Sequence, residues 1–272
     1  MKNTRRDFIR RFSAAATLIT LGSFQKLGAA ELLDLQQNVK LRFIVASDAH
    51  YGQPKTPFKS MANEFVSKSN AFHDKLPCDF CVLNGDIIHD NPKFMPKAKR
   101  KFSGLNMPLY VTQGNHDHVS AEQWKQIWDI PVNHSFSLKN YKFILATTSN
   151  QAGDYLAPDL TWLAGELANS QNEPVFIFVH IPQKKWTKHA IETTAFFDLL
   201  ANYENVKATF HGHEHEEDGI YTENGKPFIF DSHIGGSWGT AYKGFRVVEV
   251  LENDAIVTYM MNPDMEITRD KI

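Results

Sequence analysis

Cysteine is nearly absent from this chain. Only Cys78 and Cys81 occur in 272 residues, too few for a disulfide framework or a four-thiolate zinc site. They sit in Pro77-Cys78-Asp79-Phe80-Cys81-Val82-Leu83, which runs into a strand-like stretch. In extended chain, residues three apart hold their Cα atoms roughly 10 Å from each other, beyond disulfide reach. Two small, partly buried thiols are expected. Charge of one sign is also lacking: the formal net charge is -2, so no overall positive field draws nucleic acid or anionic lipid. No repeat, low-complexity tract or Pro/Gly/Ser-rich linker divides the chain, which favours a single large domain. Long apolar runs are missing too. The uncharged stretch Phe12 to Phe24 is softened by Ser13, Thr17 and Thr20 and falls short of the roughly 20 residues of a spanning helix.

That stretch follows Lys2, Arg5, Arg6, Arg10 and Arg11 and precedes Gly28-Ala29-Ala30. Basic, apolar and small residues in this order predict a cleavable export signal over residues 1–30. Thr4-Arg5-Arg6-Asp7-Phe8-Ile9-Arg10 resembles the twin-arginine pattern, which implies export of the folded protein to the periplasm or beyond, with membrane contact only in transit. A basic amphipathic helix or an uncleaved anchor is the alternative. No cysteine follows the expected cleavage point, so a lipid anchor is not indicated.

What is plentiful is phenylalanine and histidine, 20 and 12 residues. Many phenylalanines fall in short β-like runs. Strands are expected at Leu41 to Ser47, Phe80 to Asn84, Met107 to Val111, Val175 to Val179 and Ala208 to Phe210. Helices are expected around Phe58 to Phe72, after a Ser120/Gln123 capping box, at Leu160 to Leu167 and from Ile191 to Leu200. A hairpin is expected around Lys139-Asn140-Tyr141. Turn signals at Glu223-Asn224-Gly225-Lys226 and Glu252-Asn253-Asp254 predict antiparallel strands to finish the chain. The pattern implies an α/β domain over 38–272, two β-sheets packed face to face and flanked by helices.

The histidines concentrate where strands stop. The first expected strand ends in Asp48-Ala49-His50, the second in Gly85-Asp86-Ile87-Ile88-His89-Asp90, and the third in Gly114-Asn115-His116-Asp117. The later two end in His180 and in His211-Gly212-His213-Glu214-His215. Carboxyl ends of strands are where sites collect in α/β folds. Carboxylate, amide oxygen and imidazole together suit divalent ions of the Mn, Fe, Co and Zn kind. One such piece is commonplace; five in order are not.

The ordered set resembles the signature of the calcineurin-like metallophosphoesterases: D-x-H, G-D, G-N-H-D/E, H and G-H-x-H. The resemblance spans Leu41 to His215 and implies a four-layer α/β/β/α fold with two metal ions. It implies that Asp48, His50 and His215 hold one ion, that Asn115, His180 and His213 hold the other, and that Asp86 bridges them. Two ions roughly 3.5–4 Å apart can share a hydroxide and neutralise phosphate oxygens, so a small phosphoester is the implied substrate. His116 is implied as the general acid for the leaving alkoxide.

His89 stands where many relatives have an Asp that orients the catalytic His, and where purple acid phosphatases have a metal-binding Tyr. This tilts the expectation toward diesters over monoesters. His89 and Asp117 are expected just behind the ligands, with Asp117 or Asp90 free to orient His116. His118, His189, His211 and His233 have no ligand position in the signature. Lys184 and Lys185 are equally a substrate contact or a solvated pair. The Gly235-Gly236-Ser237-Trp238-Gly239 stretch is a loop over the site or a plain turn, with Trp238 placed either to stack on a base or simply to pack. The competing reading is a non-catalytic metal-binding scaffold of the same fold, which retention of every ligand position disfavours.

Overall fold

The computed structural model describes residues 16–20, 23–28, 31, 35 and 38–262. The Arg5-Arg6 run and residues 263–272 of the expected domain lie outside the described residues. Strands β1 (Ala16–Thr20) and β2 (Ser23–Leu27) precede β3 (Val39–Ala46), helix α1 (Phe58–His73), β4 (Phe80–Asn84), α2 (Met95–Phe102) and β5 (Leu109–Thr112). Then come α3 (Ala121–Trp128), β6 (His134–Leu138), β7 (Tyr141–Leu145), α4 (Leu160–Ala168), β8 (Val175–Phe178), α5 (Thr194–Ala201) and β9 (Val206–His211). The last four strands are β10 (Ile220–Glu223), β11 (Lys226–Phe230), β12 (Phe245–Leu251) and β13 (Ile256–Met261).

These strands make two sheets, ordered β2-β1-β13-β12-β3-β4-β5 and β10-β11-β9-β8-β7-β6. Alternation along each strand decides what its two faces meet. Leu41, Phe43 and Val45 of β3 join Phe80, Val82, Phe143, Phe176, Phe178 and Phe210 in the layer between the sheets. Ile44, Ala46, Cys81 and Leu83 turn the other way, onto α1, α2 and α3. Val175 and Ile177 turn onto α4 and α5. The outcome is four layers, α/β/β/α. Phe43 lies in the seam, stacked on Phe80 at 4.9 Å and meeting Phe143, Phe176, Phe178 and Phe210 edge-on. Cys78 and Cys81 are buried and unlinked.

Several expected boundaries shift for local reasons. The β6–β7 loop shrinks to Lys139-Asn140, both at positive φ (52° and 64°), the two-residue turn whose twist matches the strands. Helix α5 starts at Thr194 rather than Ile191, because the Ile191 and Thr193 amides donate to Pro182 and Gln183 carbonyls. The closing strands are not one meander. β10 and β11 pair antiparallel in the second sheet, where β11 also runs parallel to β9, while β12 and β13 complete the first sheet. Part of the stretch expected as a leader forms the β1–β2 hairpin, paired through β1 onto β13. Among the described residues no helix is long and apolar enough to cross a membrane.

Candidate metal centre

Strands β3, β4 and β5 are mutually parallel, as are β7, β8, β9 and β11. Their carboxyl ends therefore deliver their loops to one edge of the sandwich. Backbone hydrogen bonds stitch those loops together: Asp48 N to Gly85 O, His50 N to Asp86 O, and Gly212 N to His180 O, at 3.1, 3.0 and 3.2 Å. The loops also approach very closely. A Cβ on Gly114 would lie 2.2 Å from the Asp86 amide, and one on Gly85 would lie 2.4 Å from the His180 ring, so these positions admit only glycine. Asp48, His50, Asp86 and His213 all take positive φ, between 42° and 71°, a conformation non-glycine residues seldom adopt and one that concentrates at functional sites.

The expected ligands converge. His215 Nε2 is 3.0 Å from His50 Nε2 and 3.1 Å from Asp48 Oδ1. His180 Nε2 is 3.3 Å from Asp86 Oδ2, and Asp86, His180 and His213 form a second buried group. Asp86 stands between the two: its Oδ2 is also 3.8 Å from His50 Nε2, and its Oδ1 accepts the His116 amide at 2.8 Å. Ligands of one ion with bonds of about 2.0–2.2 Å lie about 3 Å from each other, which is the spacing seen here. Asn115 Oδ1 and His213 Nε2 are buried without a hydrogen-bond partner. A buried polar atom left so is costly unless something else satisfies it. The residues fit two divalent ions.

Charge leads to the same conclusion. Burial opposes ionisation of Asp48 and Asp86, yet His215 and His180 around the first, and His180 and His116 around the second, hold both below the usual carboxylate range. Burial pushes His50 down to about 3 and His213 to about 4, so these rings are neutral donors. His180 resists its burial and is pushed up to about 10 by Asp86 and Asp48. Two buried anions demand cationic charge at this point. The remaining ring nitrogens are tied down: His180 Nδ1 donates to Asn84 O at 2.7 Å and His215 Nδ1 to Trp238 O at 3.1 Å, which presents Nε2 inward.

His116 is half-buried beside the ligands, its ring centroid 4.9 Å from that of His50. Its Nδ1 meets Asp90 Oδ1 at 2.6 Å. Asp117 does not orient it; both Asp117 oxygens accept backbone amides, of Ile88 and Gly114. Burial and the nearby Asp86 push the Asp117 carboxyl up to about 7. His89 stacks on His116 at 4.9 Å, and its Nδ1 is 3.0 Å from His50 Nδ1.

Residues outside the expected ligand set sort clearly. His211 is buried with Nδ1 donated to Val179 O, and His233 stacks behind His215 at 4.8 Å. His118 donates to Gln151 O, and the exposed His189 lies edge-on to His213 at 6.2 Å. Lys184 is committed to Glu223 and lies over Trp186 and Phe197, so its charge is already engaged. Two aromatic residues stand at the centre, and the loop over the site is the reading of Gly235 to Gly239 that holds. Trp238 lies flat on His215, 4.4 Å away and tilted 7°. Tyr155 stands edge-on to His213 at 4.7 Å. Tyr155 gave no signal in sequence, because it lies in a loop with no ligand motif.

Comparison with known proteins agrees with this geometry. Residues 41–217 match the family model described as calcineurin-like phosphoesterase. A 3',5'-cyclic-nucleotide phosphodiesterase of Nostoc is 26% identical over 51% of this chain and 56% of its own length. A glycerophosphodiester phosphodiesterase of Enterobacter lignolyticus is 22% identical over 56% of this chain and 60% of its own. The chain thus spans under two thirds of these two relatives, but a tartrate-resistant acid phosphatase type 5 of Sus scrofa aligns over 81% of this chain and 83% of itself at 23% identity. Among solved structures, a dimetal phosphatase from Danio rerio superposes with a TM-score of 0.67, covering 83% of this chain and 97% of that one at 15% identity.

Proposed function

This chain belongs to the calcineurin-like phosphoesterase family, and on that premise we propose that it hydrolyses small phosphoric esters at the centre formed by its strand ends. The observation that carries the proposal is the Asp86 carboxylate, set between the Asp48–His50–His215 group and the His180–His213 group. Two divalent ions held there supply Lewis acidity, lowering the pKa of a shared water and offsetting phosphate charge.

The chain's own residues do the rest. Asp48 and Asp86 provide fixed negative charge, and Asn115, His50, His180, His213 and His215 would provide the amide and imidazole ligands in a buried setting. Asp90 takes one ring nitrogen of His116 and so leaves the other to serve the oxygen of the departing alcohol. Burial works against a charged His116, but Asp86 and Asp90 raise its pKa, which keeps the proton available near neutrality. A preference for diesters over monoesters is part of the proposal. It is supported by His89 in place of an orienting Asp and by the two diesterase relatives, while the acid phosphatase relatives weigh against it. The test is a substrate panel with Mn-loaded protein: bis-nitrophenyl phosphate, nitrophenyl phosphate, cyclic nucleotides and head-group diesters. Hydrolysis of diesters at tenfold or greater kcat/KM is expected; no turnover of any ester, with two ions bound, would leave the scaffold reading.

Export belongs to the proposal as well, supported by the order of basic, apolar and small residues over 1–30. Cleavage after Ala30 would remove the β1–β2 hairpin and leave β13 as the edge of the first sheet. N-terminal sequencing of protein from the native cell envelope is expected to begin near Glu31. Recovery of a chain beginning at Met1 from the cytosol alone would reject it.

A further inference from the structure

Two exposed aromatic side chains stand at the metal centre. Among the described residues, the large hydrophobics that stay exposed are Tyr155, Leu156 and Trp238, at 40%, 40% and 43%. All three lie in loops flanking the ligands: Tyr155 and Leu156 after β7, Trp238 after β11. Tyr155 stands against His213 and Trp238 against His215, so the two ligand groups each have an aromatic neighbour. Exposed aromatic surface gathered at a polar site signals a binding surface rather than chance.

The indole is held in place. The loop backbone that carries it is anchored: the Trp238 main-chain carbonyl accepts from His215 Nδ1, Gly235 N donates to Asp48 O at 3.0 Å, and Thr240 N donates to His215 O at 2.9 Å. A Cβ on Gly235 would lie 1.9 Å from Ala49 O, so this loop is moulded onto the Asp48–His50 turn. His215 lies flat against the indole, the His50 and His89 rings approach it at 4.9 and 6.2 Å, and the residue still keeps 43% of its surface exposed.

We infer that Trp238 is a specificity residue: a stacking surface for a planar aromatic or heteroaromatic group on the ester, with Tyr155 standing beside the other ligand group at His213. This rests on the phosphoesterase reading and narrows its substrate class from esters of small alcohols to esters carrying a flat ring. Stacking on an aromatic side chain is sequence-tolerant and strong enough to change affinity roughly tenfold.

The test compares kcat/KM for two diesters of aliphatic alcohols, matched in leaving-group pKa, one bearing a nucleobase and one not. Wild type, Trp238→Leu and Trp238→Phe are loaded with Mn, and adenosine 5'-monophosphate and inorganic phosphate are titrated calorimetrically. Trp238→Leu is expected to lower the base-bearing to plain ratio about tenfold through KM and to weaken nucleotide binding relative to phosphate. Trp238→Phe is expected to restore both. An unchanged ratio with both substrates slowed alike would show that the indole only braces His215 and would overturn the inference. Wild type inactive on both diesters and on nitrophenyl phosphate would instead defeat the phosphoesterase reading itself.

Discussion

Asp90 Oδ1 lies 2.6 Å from His116 Nδ1, joining a carboxylate four residues beyond the central Asp86 to the histidine beside Asn115. The contact fixes the ring and, after the opposing effect of burial and the attraction of Asp86, adds to the rise in its pKa. An acid of this kind works while protonated, so activity falls as pH climbs through the raised value. Bound cations offset the Asp86 charge, which leaves Asp90 as the group that keeps the proton on.

Asp90→Asn is therefore expected to move the alkaline limb of the pH–rate profile to lower pH. It should also cut kcat on alkyl esters by about 10²-fold, with a far smaller loss on nitrophenyl esters, whose leaving groups need no proton. His116→Ala should show the same leaving-group dependence. Equal losses on the two ester types would remove His116 from the acid role.

Removing the central carboxylate tests the pairing of the ions. For Asp86→Ala the metal content after exhaustive dialysis is expected to fall from two ions per chain to one or fewer, and kcat/KM by at least about 10³-fold. Full occupancy of two ions in that variant would place the bridge elsewhere.

Metal should stabilise the fold, since ligands scattered over five strand ends are assembled only in the folded chain. At 100 times its Kd an ion adds about 2.7 kcal/mol, equivalent to roughly 5–10 °C in Tm for a domain of this size. Thermal melts with Mn and with a chelator should differ by at least that much. Coincident melts would contradict the fit.

Away from the centre, Phe43→Ala opens the seam between the sheets, where the ring touches five others. Loss of about 3–5 kcal/mol is expected in denaturant titrations. A loss under about 1 kcal/mol would mean the two sheets are not packed as described.

His134 supplies an acid-sensitive element. Burial of its ring, only partly offset by the Pro131 backbone, pushes its pKa down to about 4. The unfolded ring titrates near 6.5, so between these values the unfolded chain binds the extra proton. Stability is thus unaffected above pH 6.5, declines as pH falls from there, and has lost the whole contribution below about 4. His134→Leu should flatten that decline by on the order of 1–3 kcal/mol. Parallel pH–stability curves for the two proteins would count against a neutral buried ring.

How much of this was legible beforehand depends on whether a feature is local. The capping box of Ser120 and Gln123 is present as written, because a cap is a contact between near neighbours. The layered fold followed from alternation and strand-end chemistry. The distribution of β10 to β13 over two sheets did not, since turn residues name a hairpin but not its neighbour. At the centre, types and order of the donors named loops that the fold brings together. That Asp90 rather than Asp117 reaches His116 was open, because the choice depends on the positive φ of Asp90 and on amides from Ile88 and Gly114 that occupy Asp117. Trp238 could be named with its glycine-rich loop, but Tyr155 was hidden: nothing in a sequence marks which loop aromatics come to lie against ligand histidines.

The sheets contribute unequally to each ion group, and this has a mechanical consequence. Asp48 and His50 descend from β3, whereas His215 descends from β9 across the seam; Asn115 comes from β5, but His180 and His213 come from β8 and β9. Each cation would therefore act as a rivet through both halves of the sandwich. Substitutions that let the halves slide, even deep among the phenylalanines and far from any reacting atom, should first be felt as weakened grip on the cations, before the protein loses its shape.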